Sequence, residues 1–171
     1  MTGPEKPSPL GFAQEVEKLM KLPQHLCKQR GICCRIATFK GSLNVDDIRK
    51  LSLMGDEPGA EMARDFLSVF EPYATTEEVV EMAPEFVDRV KQTTQLGGGN
   101  PDNVSFFKCR FVLADGRCGV HEDRPVGCRT YPFPHKDTIY HPGCGFEQQG
   151  KANWQRIEEI IQTLEAMSNA D

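Results

Sequence analysis

Seven cysteines carry the chemistry open to this 171-residue chain. Four of them, Cys109, Cys118, Cys128 and Cys144, fall in the 36 residues CRFVLADGRCGVHEDRPVGCRTYPFPHKDTIYHPGC. Cys27, Cys33 and Cys34 sit upstream in CKQRGICCR, and 74 residues without cysteine separate the two groups. Thiolate sulfur selects zinc, copper(I) and iron–sulfur clusters. An odd count rules out complete internal pairing. Clustered thiols in a chain without a secretory leader point to metal or redox chemistry rather than to a disulfide scaffold. All seven cysteines are therefore candidate metal ligands. The expectation is that folding gathers both groups around zinc or an iron–sulfur cluster.

Density carries this reading more than spacing does. The chain has no Cys-x-x-Cys pair, and the usual zinc-ribbon and ferredoxin spacings are absent. A continuous helix through 27–34 would set Cys27 and Cys34 about 10 Å apart along its axis. That is too far for one ion with bonds of about 2.3 Å, so a loop that turns back at Gly31 is expected. The ligand count allows one closed site plus one open site, or a two-metal site on six thiols. His25, His121, His135 and His141 are possible additional ligands, although surface or loop positions account for each of them. Arg124 and Arg129 are the candidate cofactor-binding residues, with Arg110 nearby. A guanidinium lowers a thiol pKa and offsets the charge of a thiolate-bound metal, whereas ion pairs with Glu122 and Asp123 would be the plain alternative. No nucleophile–base pair can be assigned. LGGG is followed by Asn-Pro, not by the Lys and helix of a phosphate loop.

The elements that must position these residues read as mainly helical. Helices are expected over 10–21, 45–54 (capped by Asn44 or Ser42), 59–71, 77–83, 85–94 and 153–167, delimited by Pro23, Pro58, Pro72 and Pro84. Met62, Phe66, Leu67 and Phe70 should face inward from 59–71, and Trp154, Ile157, Ile160, Ile161 and Leu164 from the last helix. Residues 105–113 read as a strand, Ala114-Asp115-Gly116 as a hairpin turn and 117–122 as the return strand, which would face Cys109 toward Cys118. TYPFPH, with two prolines, suits neither a central strand nor a helix. The fold class is α+β: mainly helical, with a small antiparallel β-hairpin and cysteine-rich loops around a metal site. Residues 1–23 read as a lead-in and helix, 24–150 as the cysteine-cluster domain with a helical insert at about 45–95, and 151–171 as a C-terminal helix on the same domain. Residues 1–9 and the last four are expected to be loose.

Hydrophobic content of 39% and charged content of 26% suit a globular protein. A net charge of −5 argues against nucleic acid and anionic lipid as partners. No run reaches the roughly 18–20 apolar residues of a membrane span. The chain reads as cytoplasmic, or as stromal in a chloroplast if a transit peptide has been removed.

One assembly of motifs resembles a known family. Cys27, Cys33-Cys34, Cys109, Cys118, Glu122-Asp123-Arg124-Pro125, Cys128-Arg129-Thr130-Tyr131-Pro132-Phe133 and Cys144 follow the pattern of the zinc- or iron-chelating cysteine-cluster (CxxCxxCC) family. The resemblance covers roughly residues 24–146, and Arg-Pro-x-x-Cys-Arg is its most specific part. Arg30 stands where the family's early motif has a further cysteine, which removes one ligand from an eight-cysteine, two-site arrangement. A flagellin lysine methylase is similar in its cysteine motif, which implies iron–sulfur chemistry among relatives. Methyl transfer does not follow here, because nothing reads as a SAM site. The resemblance implies a zinc- or iron–sulfur-binding protein, expected to be an accessory or assembly factor with a protein partner. A metal-dependent protein-modifying enzyme and a zinc-stapled interaction module are the alternatives.

Overall fold

Prolines and capping side chains set where the helices begin. In the computed structural model, which describes residues 8–169, α1 (Pro9–Leu19) starts with proline at its first position, where no N–H is needed. The helices α2 (Ile32–Arg35), α3 (Val45–Ser52), α4 (Pro58–Val69), α5 (Thr76–Met82), α6 (Pro84–Leu96), α7 (Val126–Thr130) and α8 (Glu147–Ser168) follow. The two strands are β1 (Phe70–Pro72) and β2 (Phe107–Cys109). Asn44 caps α3 by accepting the Asp47 N–H at 2.9 Å, with Asp46 and Asp47 in the first turn and Arg49 and Lys50 in the last, matching the helix dipole. Thr75 and Glu78 form a capping box on α5, the Thr75 N–H donating to the Glu78 carboxylate at 3.3 Å. The fold is α+β and mainly helical, with one small two-stranded antiparallel sheet. No helix among the described residues is long and apolar enough to cross a membrane. The looseness expected of residues 1–9 and of the last four falls largely outside the described residues.

The chain divides into two compact units: Gln29–Tyr131, and the described residues up to Lys28 together with those from Pro132 onward. The Gln29–Tyr131 unit is built on an aromatic core. Phe39, Ile48, Ala63 and Phe107 are buried together, with Leu43, Leu51, Phe66 and Phe70 packed against them. Phe66 meets Phe39 and Phe107 edge-on at 5.2 and 4.9 Å and stacks on Phe70 at 4.6 Å. Phe107 also ties the backbone on both sides. It lies opposite Pro72 in the sheet and exchanges two hydrogen bonds with Ala37, at 2.8 and 2.9 Å. Pro72 can occupy its position because it lies on an edge strand.

The sheet corrects two expectations. The helix expected over 59–71 ends at Val69, and Phe70 turns extended to pair with Cys109; the proline at 72 disfavours helical geometry just before it. Met62, expected inward, is 45% exposed; Ala60 and Ala63 take the buried face. The hairpin turn forms as expected, with the Leu113 N–H on the Arg117 carbonyl at 2.9 Å. The return strand does not: β2 ends at Cys109, and the only bridge between the arms is Val112 with Cys118. The Gly119 N–H still donates to the Phe111 carbonyl at 2.8 Å, and the chain then turns at 120–123, where the Asp123 N–H donates to the Val120 carbonyl at 3.0 Å.

The other unit pairs α1 with the long α8. Phe12 on α1 and Gly150, Asn153, Ile157 and Ile160 on α8 are buried. Asn153 donates to the Leu19 carbonyl at 2.8 Å, and Arg156 pairs with Glu15 at 2.8 Å. Ile161, expected on the inner face, is 41% exposed, as Asn153 rather than Ile161 continues the buried stripe. The helix begins at Glu147, six residues before the expected start, because Gly150 is no breaker there. The Tyr140 hydroxyl lies against its Cα and leaves no room for a Cβ.

Candidate metal centre

Two glycines dock the Cys33-Cys34 turn onto the hairpin. Gly31 has φ +68°, a left-handed conformation that side chains resist, and a Cβ there would strike the Gly116 carbonyl. Gly116 is buried, with φ +86°, and a Cβ on it would come within 2.9 Å of the Arg30 carbonyl. Arg35 reinforces the contact by donating to the Ala114 carbonyl at 2.8 Å, and Tyr73 donates its hydroxyl to the Arg35 carbonyl at 2.7 Å. The reversal expected at Gly31 is therefore present, and its second purpose is close approach to Gly116. α2 then presents Cys33 and Cys34, while the Ala37–Phe107 bridge fixes α2 beside the strand that ends in Cys109.

The remaining thiols of this unit come from two further segments. Cys118 is bridged to Val112 across the hairpin. Cys128 lies on α7, a single turn opened by Pro125 whose carbonyl accepts the Cys128 N–H at 2.9 Å. Cys109 is buried and its sulfur accepts the Phe111 N–H at 3.4 Å, a bond that favours the thiolate. All seven cysteines are free thiols.

Electrostatics joins these sulfurs. The Cys34 thiol is pushed far above its ordinary range, first by its hydrogen bond with Cys33, then by burial and by the Cys33 charge, against an opposing pull from Arg124. Burial raises Cys109, helped by Cys34 and Cys118 and opposed by the Phe111 N–H. Cys128 is pushed up to about 11, by burial first and then by Cys109, Cys34 and Cys118, with Arg124 again opposing. Arg124 is half-buried and held by its Nε–H bond to the His121 carbonyl at 3.1 Å. It pairs with neither Glu122 nor Asp123 among the described residues; Arg129 is exposed on α7, and Arg110 donates to the Leu67 carbonyl at 3.3 Å. Like charges this close cannot all ionise unaided. A divalent cation inverts that balance and takes the protons' place. The donor set is all sulfur, which suits zinc or iron–sulfur.

Cys27 and Cys144 belong to the other unit. Cys27 is exposed after the short turn Gln24–Leu26; Cys144 is half-buried against Leu22, Tyr140, Phe146 and Leu26. Gly145 abuts the Leu26 carbonyl so tightly that a Cβ would collide with it, so the two cysteine-bearing segments touch within that unit. His25 and His121 are exposed and His135 is half-buried, whereas His141, expected at the surface, is 3% exposed. Among the described residues, no group of three or more His, Cys, Asp or Glu side chains converges in metal-ligating geometry. Comparison with protein-family models, curated proteins and solved structures gave no match.

Proposed function

We propose that this chain is a metal-binding cysteine-cluster protein, holding zinc or an iron–sulfur cluster on thiols of its Gln29–Tyr131 unit and acting with a protein partner as an accessory or assembly factor. The observation that carries the reading is the placement of Cys34, Cys109, Cys118 and Cys128 on four segments of one unit, docked through the Gly31–Gly116 contact and the Ala37–Phe107 bridge, with Cys34 and Cys118 near enough to raise the thiols of both Cys109 and Cys128. Cys33 is the fifth donor, hydrogen-bonded to Cys34. Ligation requires these sulfurs to rotate onto a common centre on a backbone that already brings their segments together. Zinc there would staple the segments; an iron–sulfur cluster would add electron transfer. Cys27 and Cys144 remain candidate ligands, as the family resemblance implies.

Arg124 would offset the negative charge of four or more thiolates, and Arg129 would extend the same basic edge. The partner reading draws on Phe111 and Leu113, 38% and 46% exposed on the hairpin arm that leads from Cys109. Nucleic acid is a poor partner for a chain of net charge −5. A cytoplasmic or stromal setting fits free thiols.

Anaerobic purification of the full chain, followed by metal and acid-labile sulfide analysis, tests the reading. The expected result is stoichiometric zinc, or iron with matching sulfide, that falls at least tenfold in occupancy in Cys128→Ser. A well-folded chain that takes up neither zinc nor a reconstituted cluster would overturn it.

A further inference from the structure

The loop between α3 and α4 turns two apolar side chains outward. Leu53 is 84% exposed and Met54 56%. Their backbone is tied in place. The Leu53 and Met54 N–H groups donate to the Lys50 and Leu51 carbonyls, and Arg64 Nη1 donates to both the Ser52 and the Gly55 carbonyl at 2.9 Å. Apolar side chains held out on a fixed backbone form a knob, and apolar surface of this kind is what a protein contact covers. Its rim is acidic. Asp56 and Glu57 follow directly, and Glu61, Met62 and Asp65 lie on the exposed face of α4. The nearest bases, Arg49 and Lys50, are paired with Asp46 and Asp47.

The hairpin that leads from Cys109 has the opposite character. Phe111 and Leu113 are its exposed apolar residues, and Arg110 and Arg117 beside them are exposed as well. The Leu113–Arg117 backbone bond fixes the turn, and the Arg110 bond to the Leu67 carbonyl positions that guanidinium without cancelling its charge. Aromatic side chains with arginine are the composition that interface centres favour. The contrast extends beyond these few residues. Segments 29–44 and 104–131 hold eight Lys and Arg against three Asp and Glu, whereas 45–103 holds five against thirteen. Charge therefore opposes a knob on a knob or a hairpin on a hairpin, and favours a knob on a hairpin.

We infer that the Leu53–Met54 knob of one copy of this chain docks on the Phe111–Leu113 hairpin of a second copy. Two such contacts made reciprocally close a pair. The inference names the partner of the hairpin surface invoked under the proposed function and rests on that part of the reading, not on the thiols.

The test is sedimentation equilibrium of the full chain, kept reduced and stripped of metal with a chelator, so that neither disulfides nor a bridging metal can join copies. The mass should rise from one chain toward two with concentration, and salt should weaken the association. Leu53→Gln and Leu113→Gln should each weaken it at least tenfold, as loss of a central anchor does. Both side chains are exposed, so the circular dichroism should not change. An equimolar mixture of the two variants should associate more tightly than either alone, because one intact knob still meets one intact hairpin. The inference is overturned by a mass that stays at one chain at every concentration, by association that salt strengthens, or by a mixture that associates no more tightly than its components. Metal uptake by the same protein is read separately, so each reading can fail without the other.

Discussion

Truncating Phe107 to alanine should unfold the Gln29–Tyr131 unit more than any surface change can. The ring is fully buried, shares its cluster with Phe39, Ile48 and Ala63, and meets Phe66 edge-on at 4.9 Å. Phe→Ala in such a core costs about 3–5 kcal/mol, including the cavity left behind. A position bridged on both sides, to Pro72 and to Ala37, has little freedom to collapse, so the upper half of that range is expected. Set against a domain stability of about 5–15 kcal/mol, this leaves a unit that is only marginally folded. The assay is urea denaturation followed by far-UV circular dichroism, to which α3 to α6 contribute together with α1 and α8 of the other unit. Trp154 emission reads the other unit in the same sample and serves as an internal reference. Phe111→Ala, at a 38% exposed position of the same segment, should cost under about 1 kcal/mol. Because Phe107 also fixes α2 against the strand bearing Cys109, its loss should speed alkylation of Cys34 and Cys109. A cost below about 1.5 kcal/mol, or one equal to that of Phe111→Ala, would refute the reasoning.

Other expectations follow from single contacts. Gly31→Ala should cost at least about 1 kcal/mol more than Gly41→Ala in urea melts: both have positive φ, but only the Gly31 Cβ meets backbone, that of Gly116. Asn153→Ala should lose about 1–3 kcal/mol by removing the bond to the Leu19 carbonyl, a change that Trp154 emission one residue away would report. The metal-free protein should weaken in alkali. Cys34, Cys109 and Cys128 have folded pKa values above the unfolded value of about 8.5, so their contribution is complete below that pH. It is lost as pH rises through the folded values, about 11 for Cys128. Denaturant midpoints measured across that window should fall, and should fall less in Cys128→Ser; a midpoint that rose with pH would reverse the sign.

Much of the helical frame can be read from the sequence because its signals are local. Pro58 and Pro84 open helices, Asn44 caps one, and the Thr75–Glu78 pair opens another. The sheet is harder to see because its logic is not local. Phe70 continues the apolar period of α4, and three residues are too few to show a strand period, so only the distant partner at Cys109 reveals the strand. The glycines at 31 and 116 are each legible as turns, but nothing in either turn announces that the two pack together. Cys27 and Cys33, six residues apart, fall in different units although no composition change marks the boundary. Buried polar groups mislead in the same way: His141 and Asn153 look like surface residues until the contacts around them are formed. All seven cysteines stand out from residue type alone. Which of them act on one another depends on the Ala37–Phe107 bridge and the Gly31–Gly116 contact.

The central claim is that thiols of the Gln29–Tyr131 unit act as one metal centre. The most direct measurement is alkylation of the full chain, with and without bound metal, with each of the seven cysteines quantified by mass spectrometry. Bound metal should protect Cys34, Cys109, Cys118 and Cys128 together, and removing any one of them by serine substitution should expose the other three. Seven thiols that alkylate at the same rates with and without metal, or protection confined to a single cysteine, would contradict it.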